Sequence, residues 1–380
     1  MLFYSDKSVY EAAKDRIRWI FNEFPERKKV VSFSGGKDST TVLHLVKEVM
    51  DELGIAKIPV FFCDQEAEAP QTIDYVRKVM NFDWVEPFWI QSFFQEWNSS
   101  KGTWFNVWGP GEKWCRQKEP NNPYVDCPYD KTRHFGQVLD SMLRYHFGDD
   151  YVALGGVRID ESPTRRVALT TNPFYKDITW GKGCSKGGYV FYPIWDWNYK
   201  DVWYYIFTNH FPYCKLYDYL FTKKPLNKCR VSSYIHENAI QDLKNIKEIA
   251  PKFYSAALAR IENINSTVQS YDMLCGFVGS LPQYFSTWEE YVIYLADNIV
   301  EEKANAERIK HTYLSTLDRW RRKFGAWKEG IEFAEVVIGQ AAAVCVVAED
   351  AECSKLMNQN QVLVMYKKDH YAEFKAANNL

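Results

Sequence analysis

The sequence predicts an α/β fold, a parallel sheet with helices on both faces, followed by a mainly helical C-terminal region. Short apolar, β-branched runs of the kind buried inside parallel sheets occur in the first part of the chain. Segments of helical periodicity alternate with them, which indicates crossover units. From about residue 231 onward the periodicity is almost entirely helical, so we expect a nucleotide-site domain over 1–230 and a helical region over 231–380.

The first elements are a helix, a strand and a second helix. Ser8 and Glu11 stand at the spacing of a capping box, ahead of apolar residues at helical intervals. Residues 28–33 read as a buried strand. Residues 38–53 have helical periodicity and end before Gly54, a residue type that suits the end of a helix.

The alternation then continues up to residue 157. Further strands are predicted at 57–63, 83–90 and 151–157, and further helices at 69–80 and 134–147. Two segments, 91–130 and 170–188, interrupt it with little periodicity, and the first is rich in Trp, Pro, Gly and Asn. Both are long for plain connections, which favours lids or binding loops.

Composition favours a soluble, cytoplasmic protein. Of 380 residues 46% are hydrophobic, and the net charge is −2, which gives no general attraction to nucleic acid or membrane. The N-terminal residues carry charges where a signal peptide needs an apolar run. The longest apolar stretch, 336–348, is short for a membrane span and contains Gln340. We therefore predict no membrane association.

The nine cysteines contain no C-x-x-C pair. This spacing argues against a ribbon-type zinc site and against an iron–sulfur cluster. The count is odd, and we expect reduced thiols.

The stretch "VVSFSGGKDSTTVLHLV", residues 30–46, predicts an anion site. Glycines between a buried strand and a helix let backbone N–H groups approach a phosphate, and the helix dipole favours a negative charge there. The alternative is an ordinary strand–turn–helix corner. The stretch is not a Walker A loop, because Val31 stands where that pattern has its first glycine and Asp38 follows the lysine.

The motif S-G-G-K-D-S at 34–39, directly after the first strand, resembles the signature of the PP-loop superfamily, the adenine nucleotide alpha-hydrolases. The resemblance implies that ATP or phosphoadenosine phosphosulfate (PAPS) binds as substrate, with Mg²⁺ as a candidate cofactor. The implied binding residues in this loop are Ser34, Gly35, Gly36, Lys37, Asp38, Ser39 and Thr40.

A second stretch, "GGVRIDESPTRR" at 155–166, resembles the G-x-R-x-x-E-S-x-x-R pattern of the PAPS reductase-like branch. Arg158, Glu161, Ser162 and Arg165 match it, and planar guanidinium groups suit phosphate or sulfate oxygens. We expect Lys37, Asp38 and the two arginines to be catalytic. The alternative is a surface loop tied by local ion pairs.

Further segments extend this resemblance to about residue 265. "YPIWDWNYKDVWYYI" at 192–206 is similar to the branch, with Asp201 expected to begin a helix and Asp196 a weak candidate near the nucleotide. "CDQEAEAP" at 63–70 follows the second strand, where the superfamily contacts adenosine, which makes Phe62 and Asp64 nucleotide candidates and Asp38 and Asp64 magnesium candidates. The segment that contains Arg230 resembles IbrA-type, PAPS sulfotransferase-like proteins.

Reductase chemistry rests on a weaker pattern. The branch uses a cysteine in a C-terminal E-C-G-L-H segment, and this chain has "ECSKL" at 352–356, in which only the Glu and Cys match. Cys353 is therefore a minor candidate for a nucleophile.

Three hypotheses of function follow. The first is an enzyme that binds ATP or PAPS and acts at the α-phosphate or sulfate. The second is a DNA phosphorothioation or nucleic-acid thiolation protein that adenylates its target, with "WFNVWGPGEKWCRQK" as a stacking surface. The third is a non-catalytic nucleotide sensor with a protein partner.

Overall fold

The computed structural model describes residues 6–98, 103–125, 127–129, 134–235, 237–262, 264, 281–347 and 354–379. The chain divides into two compact units, Met1–Val268 and Gln269–Leu380. The boundary expected near residue 230 therefore falls inside the first unit.

A mostly parallel sheet forms the centre of the first unit. The described strands are β1 (Lys29–Ser32), β2 (Ile58–Cys63), β3 (Val85–Ile90), β4 (Phe94–Asn98), β5 (Thr103–Val107), β6 (Val152–Leu154), β7 (Gly181–Gly183) and β8 (Tyr189–Phe191). Six of them make one sheet in the order β3-β2-β1-β6-β8-β7, and only the β7–β8 pair is antiparallel. The predicted parallel sheet is confirmed.

The strand order places a binding crevice at β1. The chain passes from β1 to β2 on one side and returns to β6 on the other, so the connections that leave β1 and β6 diverge there. Ligands of open parallel sheets bind at such a switch point, outside the carboxyl ends of the strands. The loop after β1 and the loop after β6 are the two stretches that the sequence singled out.

Nine described helices belong to the first unit. They are α1 (Val9–Glu23), α2 (Lys37–Leu53), α3 (Pro70–Met80), α4 (Phe135–Phe147), α5 (Pro163–Thr170), α6 (Tyr199–Thr208), α7 (Leu216–Lys223), α8 (Glu237–Ile249) and α9 (Pro251–Arg260). The capping box of Ser8 and Glu11 is present, and Gly54 ends α2 with a left-handed φ of 68°. The predicted elements therefore lie within one or two residues of the observed ones.

The two interrupting segments contain strands that the sequence did not predict. Within 91–130, β4 and β5 form an antiparallel hairpin in which Trp97 stands opposite Trp104. Within 170–188, β7 adds an antiparallel edge to the main sheet. A further difference concerns α6: Asn198 caps it, and Asp201 is the acidic third residue of the capping box, not the helix start.

Helix α9 is attached to the first unit by a buried ion pair. The Arg260 Nε lies 2.7 Å from Glu66 Oε1, and Arg260 Nη2 donates to the Asn106 carbonyl at 2.6 Å. Glu66 has no exposed surface, so Arg260 neutralises a carboxylate that water cannot reach. Residues beyond 230 thus complete the core of the sheet domain.

The second unit is helical, as predicted. Its described helices are α10 (Trp288–Ile299), α11 (Lys303–Phe324), α12 (Lys328–Val347), α13 (Ser354–Asp369) and α14 (Tyr371–Ala377). Within the described residues α12 is the one helix long and apolar enough to cross a membrane, because it begins well before the apolar stretch seen in the sequence. Its Ala334, Ile338, Ala342 and Val346 are buried in the core of this unit.

Candidate functional site

The loop after β1 is shaped by two glycines. Gly35 has a φ of +75°, and a Cβ there would lie 3.0 Å from the Thr72 side chain and 3.3 Å from that of Val76. Such a conformation favours glycine, and the close approach leaves no room for a larger residue. Gly36 is the N-cap of α2, so the loop turns directly into the helix.

Hydroxyl groups hold this turn together. The Ser34 and Ser39 Oγ atoms are 3.1 Å apart, and the Ser34 N–H donates to Ser39 Oγ at 3.2 Å. The Ser39 and Thr40 hydroxyls donate to the Gly36 carbonyl at 3.0 and 2.9 Å. Ser34 is exposed whereas Ser39 and Thr40 are buried, so the loop meets solvent at Ser34.

Two loop amides have protein partners. The Gly36 N–H donates to Ser34 Oγ at 3.4 Å, and the Lys37 N–H donates to the hydroxyl of Tyr217, on α7, at 3.0 Å. Burial raises the pKa of Tyr217 well above its ordinary value, so its hydroxyl stays protonated. This differs from the sequence-based picture of unpaired amides, and the Tyr217 contact gave no signal in the sequence.

Asp38 links the two predicted motifs. Its Oδ2 lies 2.8 Å from Lys37 Nζ, and its Oδ1 accepts from Arg158 Nε at 2.6 Å. Arg158 Nη1 also donates to the Trp197 carbonyl at 3.2 Å. Lys37 and Arg158 are 4% and 2% exposed, so both cations are held away from water. Burial opposes ionisation of Asp38, but Lys37 and Arg158 outweigh it and lower the pKa of that carboxyl.

Gly156 brings the loop after β6 against the head of α2. A Cβ at this position would lie 2.6 Å from the Asp38 carbonyl carbon and 2.7 Å from the Ser39 nitrogen. Only the absence of a side chain lets Arg158 reach Asp38 from this loop. The sequence analysis quoted this glycine but assigned it no role.

Glu161 gathers two further arginines. Its carboxylate forms an ion pair with Arg165 Nη1, and its carbonyl accepts from Arg230 Nη2 at 2.9 Å. Ser162 caps α5 and accepts from the Arg165 N–H at 3.2 Å. Burial and then the charge of Arg230 lower the pKa of Arg165. The expected local ion pairing exists at Arg165, whereas Arg158 pairs with a residue 120 positions away.

Phe62 and Asp64 are placed in a different, buried cluster. Phe62 packs edge-on against Trp89, with ring centroids 5.6 Å apart. Asp64 has no exposed surface and accepts from Trp89 Nε1 at 2.7 Å, from Gln91 Nε2 at 2.9 Å and from the Arg116 guanidinium. Their contact with a nucleotide remains a prediction, and the loop after β1 does not gather them.

The carboxylates suggested for magnesium fit that ion poorly. Asp38 is taken up by Lys37 and Arg158, and Asp64 by Arg116. Among the described residues there is no group of three His, Cys, Asp or Glu side chains that could hold a metal. Magnesium favours carboxylates that can face it together with phosphate oxygens. No chemical step is therefore derived through it.

The acidic residues after β2 form part of the same buried cluster. Burial, and then the neighbouring Asp64, raise the pKa of Glu68 well above its usual range. Burial raises the pKa of Glu96 to about 8. Glu66 accepts from the Trp108 and Cys115 N–H groups at 2.8 and 3.0 Å. The departure noted at this position in the sequence thus corresponds to a structural acidic core.

Other sequence candidates lie in structural contacts. Trp108 is 1% exposed, and its Nε1 donates to the Asp64 carbonyl at 2.7 Å, so its ring is not a free stacking surface. Asp196 accepts two hydrogen bonds from Arg16, at 2.7 and 2.6 Å. Cys353 lies outside the described residues. The nucleic-acid hypothesis therefore has no exposed aromatic platform to support it at Trp108.

Comparison with known proteins identifies the family. Residues 28–223 match the model of the phosphoadenosine phosphosulfate reductase domain, which is more than half of the chain. The chain belongs to this PAPS reductase domain family, within the PP-loop superfamily. The matched part of the PAPS reductase domain holds Lys37, Asp38, Arg158 and Arg165, and it ends before Arg230.

Two curated relatives extend the comparison. "Uncharacterized protein YbdN" of Escherichia coli strain K12 is 29% identical over 375 residues, which cover 93% of this chain and 88% of the relative. "Uncharacterized protein MJ0973" of Methanocaldococcus jannaschii is 26% identical over 234 residues, which cover 59% of this chain and 45% of that protein.

Solved structures with a related arrangement include two enzymes. The PAPS reductase of Candida auris, in a phosphate complex, has a TM-score of 0.34 and 17% identity, over 62% of this chain and 98% of the other. The FMN adenylyltransferase of Candida glabrata has a TM-score of 0.36 and 17% identity, over 58% of this chain and 63% of that one. These similarities are too low to carry an argument about activity.

Proposed function

We propose that the protein is an enzyme that binds ATP or PAPS at the head of α2 and acts at the α-phosphate or the sulfate. One observation carries the proposal: Lys37 and Arg158, both buried, converge on Asp38 where the loops after β1 and β6 meet. Membership of the PAPS reductase domain family supports the choice of an adenine nucleotide.

The electrostatics favour an anion at this position. Lys37, Arg158, Arg165 and Arg230 influence one another, whereas Asp38 and Glu161 are the carboxylates in direct contact with them. Burial lowers the pKa of Lys37; Asp38 opposes this, and Arg158 and Arg230 lower the pKa further. Positive charges that disfavour one another become favourable when a phosphate or sulfate lies among them.

The chemistry follows from the charges. With ATP, an acceptor attacks the α-phosphorus, and the bond from phosphorus to the pyrophosphate oxygen breaks. Lys37 and the guanidinium groups stabilise the negative charge that develops on pyrophosphate. Asp38 positions Lys37 and Arg158 through its two oxygens. The same cations would stabilise the nucleoside phosphate released when a sulfuryl group leaves PAPS.

Attack by a protein thiol has less support. Burial raises the pKa of the five thiols of Cys63, Cys115, Cys184, Cys214 and Cys229. A nucleophilic cysteine needs a lowered pKa and access to solvent. The proposal therefore assigns the acceptor role to a second substrate, not to one of these thiols.

Isothermal titration of the full chain with ATP, PAPS and AMP tests binding. We expect wild type to bind at least one of them and Lys37→Ala to weaken that binding by about 10- to 100-fold, the range for a lost charge-assisted contact. Lys47→Ala is the matched control, because Lys47 lies on the same helix and pairs with Asp51. Absence of binding by all three nucleotides would overturn the proposal.

Turnover separates the enzyme from the nucleotide sensor. We expect release of pyrophosphate from ATP, or of sulfite or sulfate from PAPS, once a suitable acceptor is present. Tight binding without release, with every acceptor class tried (thiols, amines, alcohols and nucleic acid ends), would favour the sensor.

A further inference from the structure

Arg230 stands apart from the residues that the family comparison covers. It follows the matched range, which ends at residue 223, and lies in the loop between α7 and α8. Even so, its Nη2 donates to the Glu161 carbonyl at 2.9 Å, so it is held beside the loop after β6. The same stretch of chain bonds to the β2 loop, because the Tyr234 N–H donates to the Ala67 carbonyl at 2.9 Å.

Glu161 holds Arg165 and Arg230 through two different groups. Arg165 uses the carboxylate and Arg230 uses the carbonyl oxygen, so a single negative charge serves two guanidinium groups. Each guanidinium has five N–H donors, and these contacts occupy only some of them. Both arginines are exposed, unlike Lys37 and Arg158, so solvent reaches this pair.

The cations therefore fall into two groups. Lys37 and Arg158 are buried on Asp38, at the head of α2. Arg165 and Arg230 are exposed on Glu161. The second group carries two positive charges against one carboxylate, and planar guanidinium forks suit the oxygens of a phosphate or sulfate.

We propose that Arg230 is a substrate-binding residue and that, with Arg165, it forms a second anion position for the phosphate or sulfate group beyond the α-phosphate. The inference rests on the proposed function, since it takes the α-phosphate to lie at the head of α2. The substrate class is then a nucleotide with at least two separate anionic groups. A nucleoside monophosphate occupies the first position only.

Titrations of the full chain with AMP, ATP, PAPS and inorganic pyrophosphate test this. Arg230→Gln is expected to weaken binding of pyrophosphate, and of whichever of ATP and PAPS binds wild type, by about tenfold or more and to leave AMP unchanged. Arg230→Lys keeps the charge and should recover part of the loss. Lys228→Gln removes an exposed cation two residues away and should change none of these affinities.

The outcomes separate the two proposals. If wild type binds pyrophosphate through Arg230 but no nucleotide, the proposed function fails and the anion position stands. If ATP or PAPS binds and Arg230→Gln retains the wild-type affinity, or loses AMP by the same factor, the second anion position is overturned. If wild type binds neither pyrophosphate nor any nucleotide, both are overturned.

Discussion

The hydroxyl of Tyr217 accepts a hydrogen bond from the backbone N–H of Lys37 at 3.0 Å, across 180 residues of sequence. It occupies a donor at the head of α2 that a phosphate oxygen could use. A small rotation of one tyrosine side chain would free that donor. The first prediction follows from this exchange.

Replacement of Tyr217 by Phe should lower stability and increase the response to anions. The Lys37 N–H loses its acceptor, and an unsatisfied buried donor costs about 1–3 kcal/mol. A bound anion restores the bond, so pyrophosphate should raise the melting temperature of Tyr217→Phe more than that of wild type. Differential scanning fluorimetry with and without pyrophosphate measures both effects.

Tyr219→Phe is the control for this experiment. Tyr219 lies on the same helix, and its hydroxyl donates to the Asn245 carbonyl and to Glu248. Its removal should leave the pyrophosphate response unchanged. An equal pyrophosphate shift in wild type and Tyr217→Phe would show that the hydroxyl does not compete with anions.

Replacement of Asp38 by Asn should destabilise the protein strongly. It removes the one charge that contacts both Lys37 and Arg158, which are buried. Loss of one partner from a buried ion pair costs about 3–5 kcal/mol. Urea unfolding measures the loss, and pyrophosphate should recover part of it because it supplies a replacement negative charge.

Asp51→Asn, at the exposed end of the same helix, should change the unfolding free energy far less, since surface ion pairs contribute about 0–1 kcal/mol. Similar losses from the two variants would contradict the picture of Asp38 as the centre of a buried cluster.

Replacement of Gly156 by Ala should disrupt the head of α2. The added Cβ would lie 2.6–2.8 Å from backbone atoms of Asp38 and Ser39, and backbone cannot move aside as a flexible side chain can. We expect lower stability together with weaker nucleotide binding, measured by calorimetry. Gly183→Ala adds the same methyl where nothing lies within 4 Å, so it should leave both quantities near the wild-type values.

Stability should fall as the pH rises from about 5 to about 8 because of Glu96. Burial raises its pKa from 4.5 to about 8, so the folded protein keeps a proton that the unfolded chain has lost. The resulting stability is fully present below pH 4.5 and is lost as the pH rises through the folded pKa. One pKa unit corresponds to about 1.4 kcal/mol.

Glu96→Gln should flatten this dependence, measured by urea unfolding at a series of pH values. Glu68, whose pKa is also raised by burial and by Asp64, acts in the same direction, so part of the slope should remain. Glu86→Gln, at an exposed position on β3, serves as the control. Parallel pH profiles for wild type and Glu96→Gln would contradict the assignment.

The sequence predicted the sheet domain well because its signals are local. A strand such as β1 is a short apolar run, and α2 has a clear period and a closing glycine, so both ends could be placed. The hairpin of β4 and β5 was missed, because tryptophan and polar residues alternate there without a plain apolar face. Strand β7 consists of Gly, Lys and Gly, which have no strand preference.

The site was predictable only where residues lie within a motif. Lys37 and Asp38 are adjacent, and Arg158 follows a strand, so position alone indicated a common crevice. Tyr217 reaches Lys37 from 180 residues away, and Arg230 reaches Glu161 from 69 residues away. Contacts at such separations depend on packing and leave no periodic pattern in a single sequence.

The ion pair of Arg260 with Glu66 bears on how the sheet domain should be produced for experiments. A fragment cut at residue 223, where the family match stops, would lack this arginine and leave a negative charge sealed inside an apolar interior. Such a fragment should aggregate or refuse to fold on expression. Working versions of the domain need the chain as far as α9.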